Sequence, residues 1–279
     1  ATINATHSVL EVVGKFNQRL DRQDRMLERI LRLSESKSIV ERPIDCSGYS
    51  YMNRKKVMDI YPYGCANPVQ VMCDLSLSGT PWTILLRSEN RKDQVNFTRP
   101  WDDYRDGFGE KNANHWMGLK LLHDLTKDGD MKLRLMAEDF TGDYNWVTWK
   151  TFKVHDEESG FRLEIGNEDS FDGVHDNFAP MNGQKFTTID RDNDGFKNGN
   201  CAEVHLGGWW YTDCGEANPT GATKNQDSPN TAFWYGWTRN DPSKKFLRQL
   251  TLLFTPSDEI QKKRKCYGQD GEFEAFDFN

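Results

Sequence analysis

Thr188-Ile189-Asp190-Arg191-Asp192-Asn193-Asp194-Gly195-Phe196-Lys197-Asn198-Gly199-Asn200-Cys201 runs on into Ala202-Glu203-Val204-His205-Leu206-Gly207-Gly208-Trp209-Trp210-Tyr211-Thr212-Asp213-Cys214. Asp190, Asp192 and Asp194 alternate, and the Gly and Asn residues after them predict a loop. Three carboxylates within five residues repel one another unless a cation lies between them. Hard oxygen donors at this density suit Ca²⁺, which takes side-chain and main-chain oxygens together. The first half fits the D-x-[DN]-x-[DN]-G-x₅-E loop of helix–loop–helix calcium proteins. The closing Glu of that pattern falls at position 201, which is Cys, and Trp209-Trp210-Tyr211 follows in place of an amphipathic helix. That loop type is therefore rejected and the cation kept. The alternative is a solvated acidic turn without metal; a disulfide beside the aspartates, holding the loop in shape, favours the cation.

Composition narrows the class. The chain has 279 residues, a net charge of −7 and 12% aromatic residues. The acidic balance argues against a nucleic-acid surface. The local basic run Lys262-Lys263-Arg264-Lys265 reads as a solvated tail. Six cysteines without a CxxC pair fit disulfides better than zinc. Asn96-Phe97-Thr98 and Asn4-Ala5-Thr6 are N-glycosylation sequons. Together these features predict a secreted, extracellular protein. No apolar run approaches a membrane span. No signal peptide is visible, so the chain reads as a mature or trimmed product of the secretory route.

Residues 1–38 contain no Trp, Cys or Pro. Val9, Val13, Phe16, Leu20, Leu27 and Ile30 recur at alternating spacings of four and three, with Gln23 as the polar member of the seam. About three heptads make a helix that is marginal alone, and Gly14 weakens it. The pattern predicts a coiled coil over 1–38 that pairs with copies of itself or a partner chain. A helix docked on its own domain is the alternative. Residues 39–44 then form a linker, and 45–279 a globular domain.

Beyond Cys46 the pattern changes to short strands and turns. Val69–Cys73, Trp82–Leu86, Lys132–Met136 and Phe161–Ile165 read as strands, and Phe246–Phe254 as the last strand. Trp101–Phe108 and His115–Leu119 read as short helical pieces, and 166–183 as a long loop.

The order of motifs points to a family. Asp45-Cys46, Val71-Met72-Cys73-Asp74, Trp82-Thr83-Ile84, Trp101-Asp102-Asp103-Tyr104, Gly107-Phe108-Gly109 and Trp116-Met117-Gly118-Leu119 precede the acidic loop, and Trp234-Tyr235-Gly236-Trp237 follows it. Over roughly Asp45 to Pro256 the chain resembles fibrinogen-like domains, as in fibrinogen chains, ficolins, tachylectins, tenascins and angiopoietins. The resemblance implies an α+β fold: a mainly antiparallel sheet, short helices and a loop-rich calcium and ligand subdomain. It implies disulfides Cys46–Cys73 and Cys201–Cys214. Cys65 and Cys266 lie outside the common pattern and either bridge each other or link chains; pairing within one chain is the expectation.

The resemblance also implies a site. Its Ca²⁺ would be held by Asp192 and Asp194 with the carbonyls of Phe196 and Asn198, or of Gly199 in place of Asn198 because the loop is a residue longer than in several members. Asp190 would support the loop from outside the ligand set. A ligand pocket beside it would involve His205, Asp213, Cys214, Gly215, Ser228 and Pro229, with a cis peptide at Asp213-Cys214. Gly215 stands where acetyl-binding members have His and resembles the receptor-binding angiopoietin-like members. Nothing catalytic stands out: there is no HExxH, GxSxG or GxxxxGK[ST], and Gly107-Phe108-Gly109 fails to complete a GxGxxG at Asn112. Two functions are implied: a multivalent calcium-dependent pattern-recognition lectin, or an adhesion or receptor-ligand protein using the same face.

Overall fold

A computed structural model describes residues 13, 15–17, 19–28, 39–77, 79–92, 94–170, 176–235, 237, 246–257 and 265–269. Its centre is an antiparallel sheet in the order β2 (Lys55–Ile60), β3 (Val69–Asp74), β4 (Trp82–Glu89), β12 (Leu247–Pro256), β7 (Met131–Asp139), β8 (Tyr144–Val154), β9 (Leu163–Ser170). Two short strands, β5 (Phe108–Gly109) and β6 (His115–Trp116), extend it from β4. A separate antiparallel pair joins β10 (Ala217–Asn218) to β11 (Phe233–Trp234). β7 reads Met-Lys-Leu-Arg-Leu-Met-Ala-Glu-Asp, and its residues alternate between buried and half-buried along its length. That is the period of two expected of a strand with one face on the core. β12 lies between β4 and β7 and is buried almost throughout, so this late strand closes the sheet around chain laid down much earlier.

Helix α1 (Trp101–Asp106) buries Trp101 and Tyr104, three residues apart on one face. Gly107 ends it at φ 93°, and a Cβ there would meet the Met117 carbonyl oxygen at 2.5 Å, so Gly is required on both counts. Helix α2 (Leu119–Thr126) buries Leu119, Leu122 and Leu125. A third helix, α3 (Cys201–His205), opens the site region.

Four expectations are corrected. His115 and Trp116 form strand β6 and not a helix, because their backbone pairs with β4 and β5; the helix begins at Leu119, after Gly118. Residues 166–170, expected in a loop, continue β9 along β8. Phe246–Phe254 does not hold the last strand: β13 (Lys265–Gln269) pairs with β1 (Ile39–Pro43), so most of the expected linker is strand. Lys265–Gln269 carries no local strand signal; its pairing is fixed by contact with β1. The rest of 171–183 is described only from 176, where residues 176–178 lead into a 3₁₀ turn at Ala179–Met181.

All six cysteines are paired, as Cys46–Cys73, Cys65–Cys266 and Cys201–Cys214. Cys65 and Cys266 are 201 positions apart with Cα atoms at 5.6 Å. Arg42, opposite Cys266 in the β1–β13 pair, donates to the Cys65 carbonyl at 2.7 Å. Toward the N-terminus, residues 13, 15–17 and 19–28 are helical. Val13, Phe16, Leu20 and Leu27 are 48, 63, 42 and 62% exposed, so these seam residues are not packed on the globular domain. Val9 and Ile30 lie outside the described residues.

Candidate functional site

The acidic loop hangs from the aromatic core. Phe186 and Trp210 meet edge to face at 4.9 Å, and Thr187 exchanges both backbone hydrogen bonds with Trp209. The loop therefore starts and ends on adjacent, fixed backbone. Asn193 donates to the Phe186 carbonyl at 2.7 Å and Asn200 to that of Thr188 at 2.9 Å. Asn200 also caps α3, its side-chain oxygen accepting from the Ala202 amide at 2.7 Å.

The three aspartates have different surroundings. Asp190 accepts from the Trp101 amide at 2.8 Å and the Thr188 hydroxyl at 2.7 Å, and Arg191 lies over the Trp101 ring at 4.1 Å. Asp190 is thus a tie between the loop and α1. Asp192 accepts from the Asp194 amide at 3.2 Å. Asp194 accepts from the Phe196 amide with one oxygen (2.9 Å) and from the Cys201 amide with the other (2.8 Å). Burial, together with the Asp192 charge, raises the Asp194 carboxyl above its ordinary value against the pull of those two amides. A pair of hard, mutually repelling carboxylates is a donor set that a divalent cation fits. Among the described residues no three His, Cys, Asp or Glu side chains gather as a metal cluster, so further oxygens would come from the main chain.

The loop is joined to the expected pocket. Gly195 donates to the Thr212 carbonyl at 2.5 Å, and a Cβ at Gly195 would meet that oxygen at 2.9 Å. Thr212 leads into the turn at Cys214. The described residues contain no cis peptide, so the Asp213-Cys214 bond is trans, contrary to expectation. The chain instead reverses through positive φ at Cys214 (55°) and Gly215 (57°), and Gly215 supplies the second of these without steric cost.

His205 is buried at 7% exposure. One ring nitrogen faces the Pro229 carbonyl at 2.6 Å and the other the Cys214 carbonyl at 2.8 Å. It braces two walls against each other and packs near Tyr211 and Phe233. Asp213 and Pro229 are exposed, while Ser228 and Gly215 are half-buried. Ser228 donates to the Asn230 side-chain oxygen at 2.7 Å. The His205 ring therefore links the Cys214 turn to the Ser228-Pro229 segment from its buried side. Sequence reading missed Tyr235, half exposed, ring to ring with Phe233 at 4.9 Å and bonded through its amide to the Glu216 carbonyl. It also missed Leu206, which is exposed, as is Val204. The available signal for Tyr235 was the alternation of Phe233-Trp234-Tyr235, which turns every second ring to one side.

The architecture is a disulfide-tied, mainly antiparallel domain with an acidic loop bonded to a disulfide turn. The family of fibrinogen beta and gamma chains, C-terminal globular domain, matches residues 43–256, and the chain belongs to it. The chain is 36% identical over 193 residues to microfibril-associated glycoprotein 4 of Mus musculus, covering 66% of this chain and 73% of that one. It is 34% identical over 244 residues to fibroleukin of Bos taurus, covering 84% and 53%. It is also 34% identical to Fibrinogen C domain-containing protein 1 of Xenopus tropicalis, covering 70% of this chain and 45% of that one. The chain spans about half the length of several of these relatives. The fibrinogen-like globe domain of human ANGPTL6 superposes with a TM-score of 0.68 at 27% identity, covering 80% of this chain and 98% of that one. No described helix is long and apolar enough to cross a membrane.

Proposed function

We propose that the protein is a secreted, calcium-binding recognition protein, probing glycans or acetylated groups as a multivalent lectin through the face around Cys214, Gly215, Ser228 and Pro229. The observation that carries this reading is the Asp194–Cys201 and Gly195–Thr212 pair of hydrogen bonds, which makes the acidic loop and the Cys214 turn one mechanical unit. Asp192 and Asp194, with the carbonyls of Phe196 and Asn198, would hold the Ca²⁺. The ion supplies positive charge that relieves the repulsion between the two carboxylates. The protein's own residues do the rest: Asp194 orients the start of α3, Gly195 places Thr212, and His205 holds the Cys214 and Pro229 carbonyls apart at a fixed spacing. The exposed Val13, Phe16, Leu20 and Leu27 seam would gather several chains, and a weak site gains most from such multivalency.

A second reading is protein recognition on the same face, as an adhesion or receptor ligand. It is favoured by the exposed Val204, Leu206 and Tyr235, an apolar rim of the kind that protein interfaces bury. A glycan array probed with and without EDTA separates the two. Calcium-dependent capture by N-acetylated sugars supports the lectin; no glycan signal in either buffer favours protein contact.

A further inference from the structure

Asn96-Phe97-Thr98 occupies a rigid turn next to the proposed site. Phe97 is buried, its carbonyl accepts from the Tyr104 hydroxyl at 2.7 Å, and its ring meets Phe108 at 5.5 Å. The Thr98 hydroxyl donates to the Leu206 carbonyl at 2.8 Å, tying the turn to the end of α3. The Asn96 side-chain oxygen accepts from the Thr98 amide at 2.9 Å. That bond fixes the plane of the exposed amide and leaves its nitrogen as the reactive end. The groove beside it has a volume of about 300 Å³, and Asn96 is itself part of its wall. Val95 and the exposed Leu206 give an apolar side; Gln94, Lys224 and Asn230 give hydrogen-bonding groups. This mixture suits a pyranose, which presents an apolar ring face and hydroxyl edges.

We propose that Asn96 carries an N-linked glycan whose first sugars lie in this groove and brace the Ser228–Asn230 wall of the candidate site. In the transfer, the Asn96 amide nitrogen forms a bond to C1 of the sugar of a polyprenyl-diphosphate-linked oligosaccharide. The C1–oxygen bond to the diphosphate breaks, the diphosphate leaves with the electron pair, and the amide loses one proton. The groove then sets where the attached sugars lie. A glycan rooted on a rigid turn has little orientational freedom, so packing it against Leu206 and Asn230 costs less entropy than docking a free sugar. The 222–230 segment is held mainly from within and from behind, by Ala222 to the Asn230 carbonyl (2.8 Å), Lys224 to the Ala222 carbonyl (2.9 Å), Thr231 to the Ser228 and Gln226 carbonyls (3.0 and 2.9 Å) and the His205 ring against the Pro229 carbonyl (2.6 Å), so a glycan in the groove would brace it from the Asn96 side. The importance of that segment rests on the reading of Ser228 and Pro229 as site walls; the modification and its seat do not.

The test uses the full chain secreted from a eukaryotic host. Release with a peptide-N-glycosidase in heavy-oxygen water, which hydrolyses the glycosylated side-chain amide and leaves a labelled Asp, followed by peptide mapping, reads occupancy at Asn96. Hydrogen exchange then compares the glycosylated chain, the same chain trimmed to its first sugar, and Asn96→Gln. Slower exchange over 222–232 by several-fold in the glycosylated chain is expected, with the trimmed chain close to it and Asn96→Gln faster. Thr98→Ser, which keeps both sequon and hydroxyl, should match the wild type. An unmodified Asn96 peptide overturns the proposal, and so does a modified one whose removal leaves 222–232 unchanged. Neither result bears on calcium or ligand capture, so failure here is distinct from failure of the lectin reading.

Discussion

The Asp194 carboxylate accepts the Cys201 amide at 2.8 Å while its neighbour Gly195 donates to Thr212. The acidic loop is thereby bonded to both ends of the Cys201–Cys214 disulfide segment. Two hydrogen bonds thus join the loop that carries the proposed Ca²⁺ ligands to the turn of the proposed recognition face.

Calcium titration should therefore separate the aspartates. Asp192→Ala is expected to abolish an ion bound at about 10⁻⁴–10⁻³ M, the range of extracellular modules, and to lower thermal stability in calcium buffer. Asp190→Ala should keep the ion and lose about 1 kcal/mol of stability through the freed Trp101 amide. Calorimetry in which Asp190→Ala loses the ion and Asp192→Ala retains it reverses the assignment.

Gly195→Ala places a Cβ 2.9 Å from the Thr212 oxygen. The strained loop should weaken calcium binding and shift the near-ultraviolet signal of the neighbouring Trp209 and Trp210 together. A variant with unchanged calcium affinity would show that loop and turn are uncoupled.

The exposed seam of the N-terminal helix should drive association. The full chain is expected to sediment as a trimer or larger, and a chain beginning at Ile39, which retains β1, as a monomer. Equal association states for the two chains would remove the stalk from the account.

Cys266→Ser should destabilise the domain by about 2–4 kcal/mol, the usual range for a lost disulfide, and free the β1–β13 pair. Urea unfolding measures the first and hydrogen exchange at 39–43 the second. Unchanged exchange at 39–43 would mean that strand pairing holds without the bridge.

Burial lowers the His115 imidazole below the ordinary histidine value of 6.5. Below 6.5 the unfolded chain takes up the proton more readily than the folded one. The contribution is thus fully present above 6.5 and is lost as pH falls toward the lower folded value. Denaturant unfolding from pH 7.5 to 5 should show this decline, flattened in His115→Phe. Parallel pH profiles for the two proteins would assign the decline to other groups.

Much of the chain was legible because its signals are local. Alternation in Lys132–Met136, the Trp101/Tyr104 spacing and the 188–214 stretch each carry their physics within a few residues. They determined the α+β class, the main strands and the place of the acidic loop. The family's two disulfides came from ordered motifs. What sequence could not supply were relations between distant residues. His115 and Trp116 have a helix-compatible neighbourhood, yet β4 and β5 claim their backbone. Ile39–Pro43 reads as a linker because its partner, β13, lies more than 200 positions away, and the Cys65–Cys266 bridge, 201 positions apart, is decided only beside it. The two carbonyls from separate loops that His205 meets, those of Pro229 and Cys214, are likewise visible only in the tertiary structure. Local spacing sets which elements form; which atoms close on one another is set by packing, where a single burial or backbone hydrogen bond outweighs intrinsic preference.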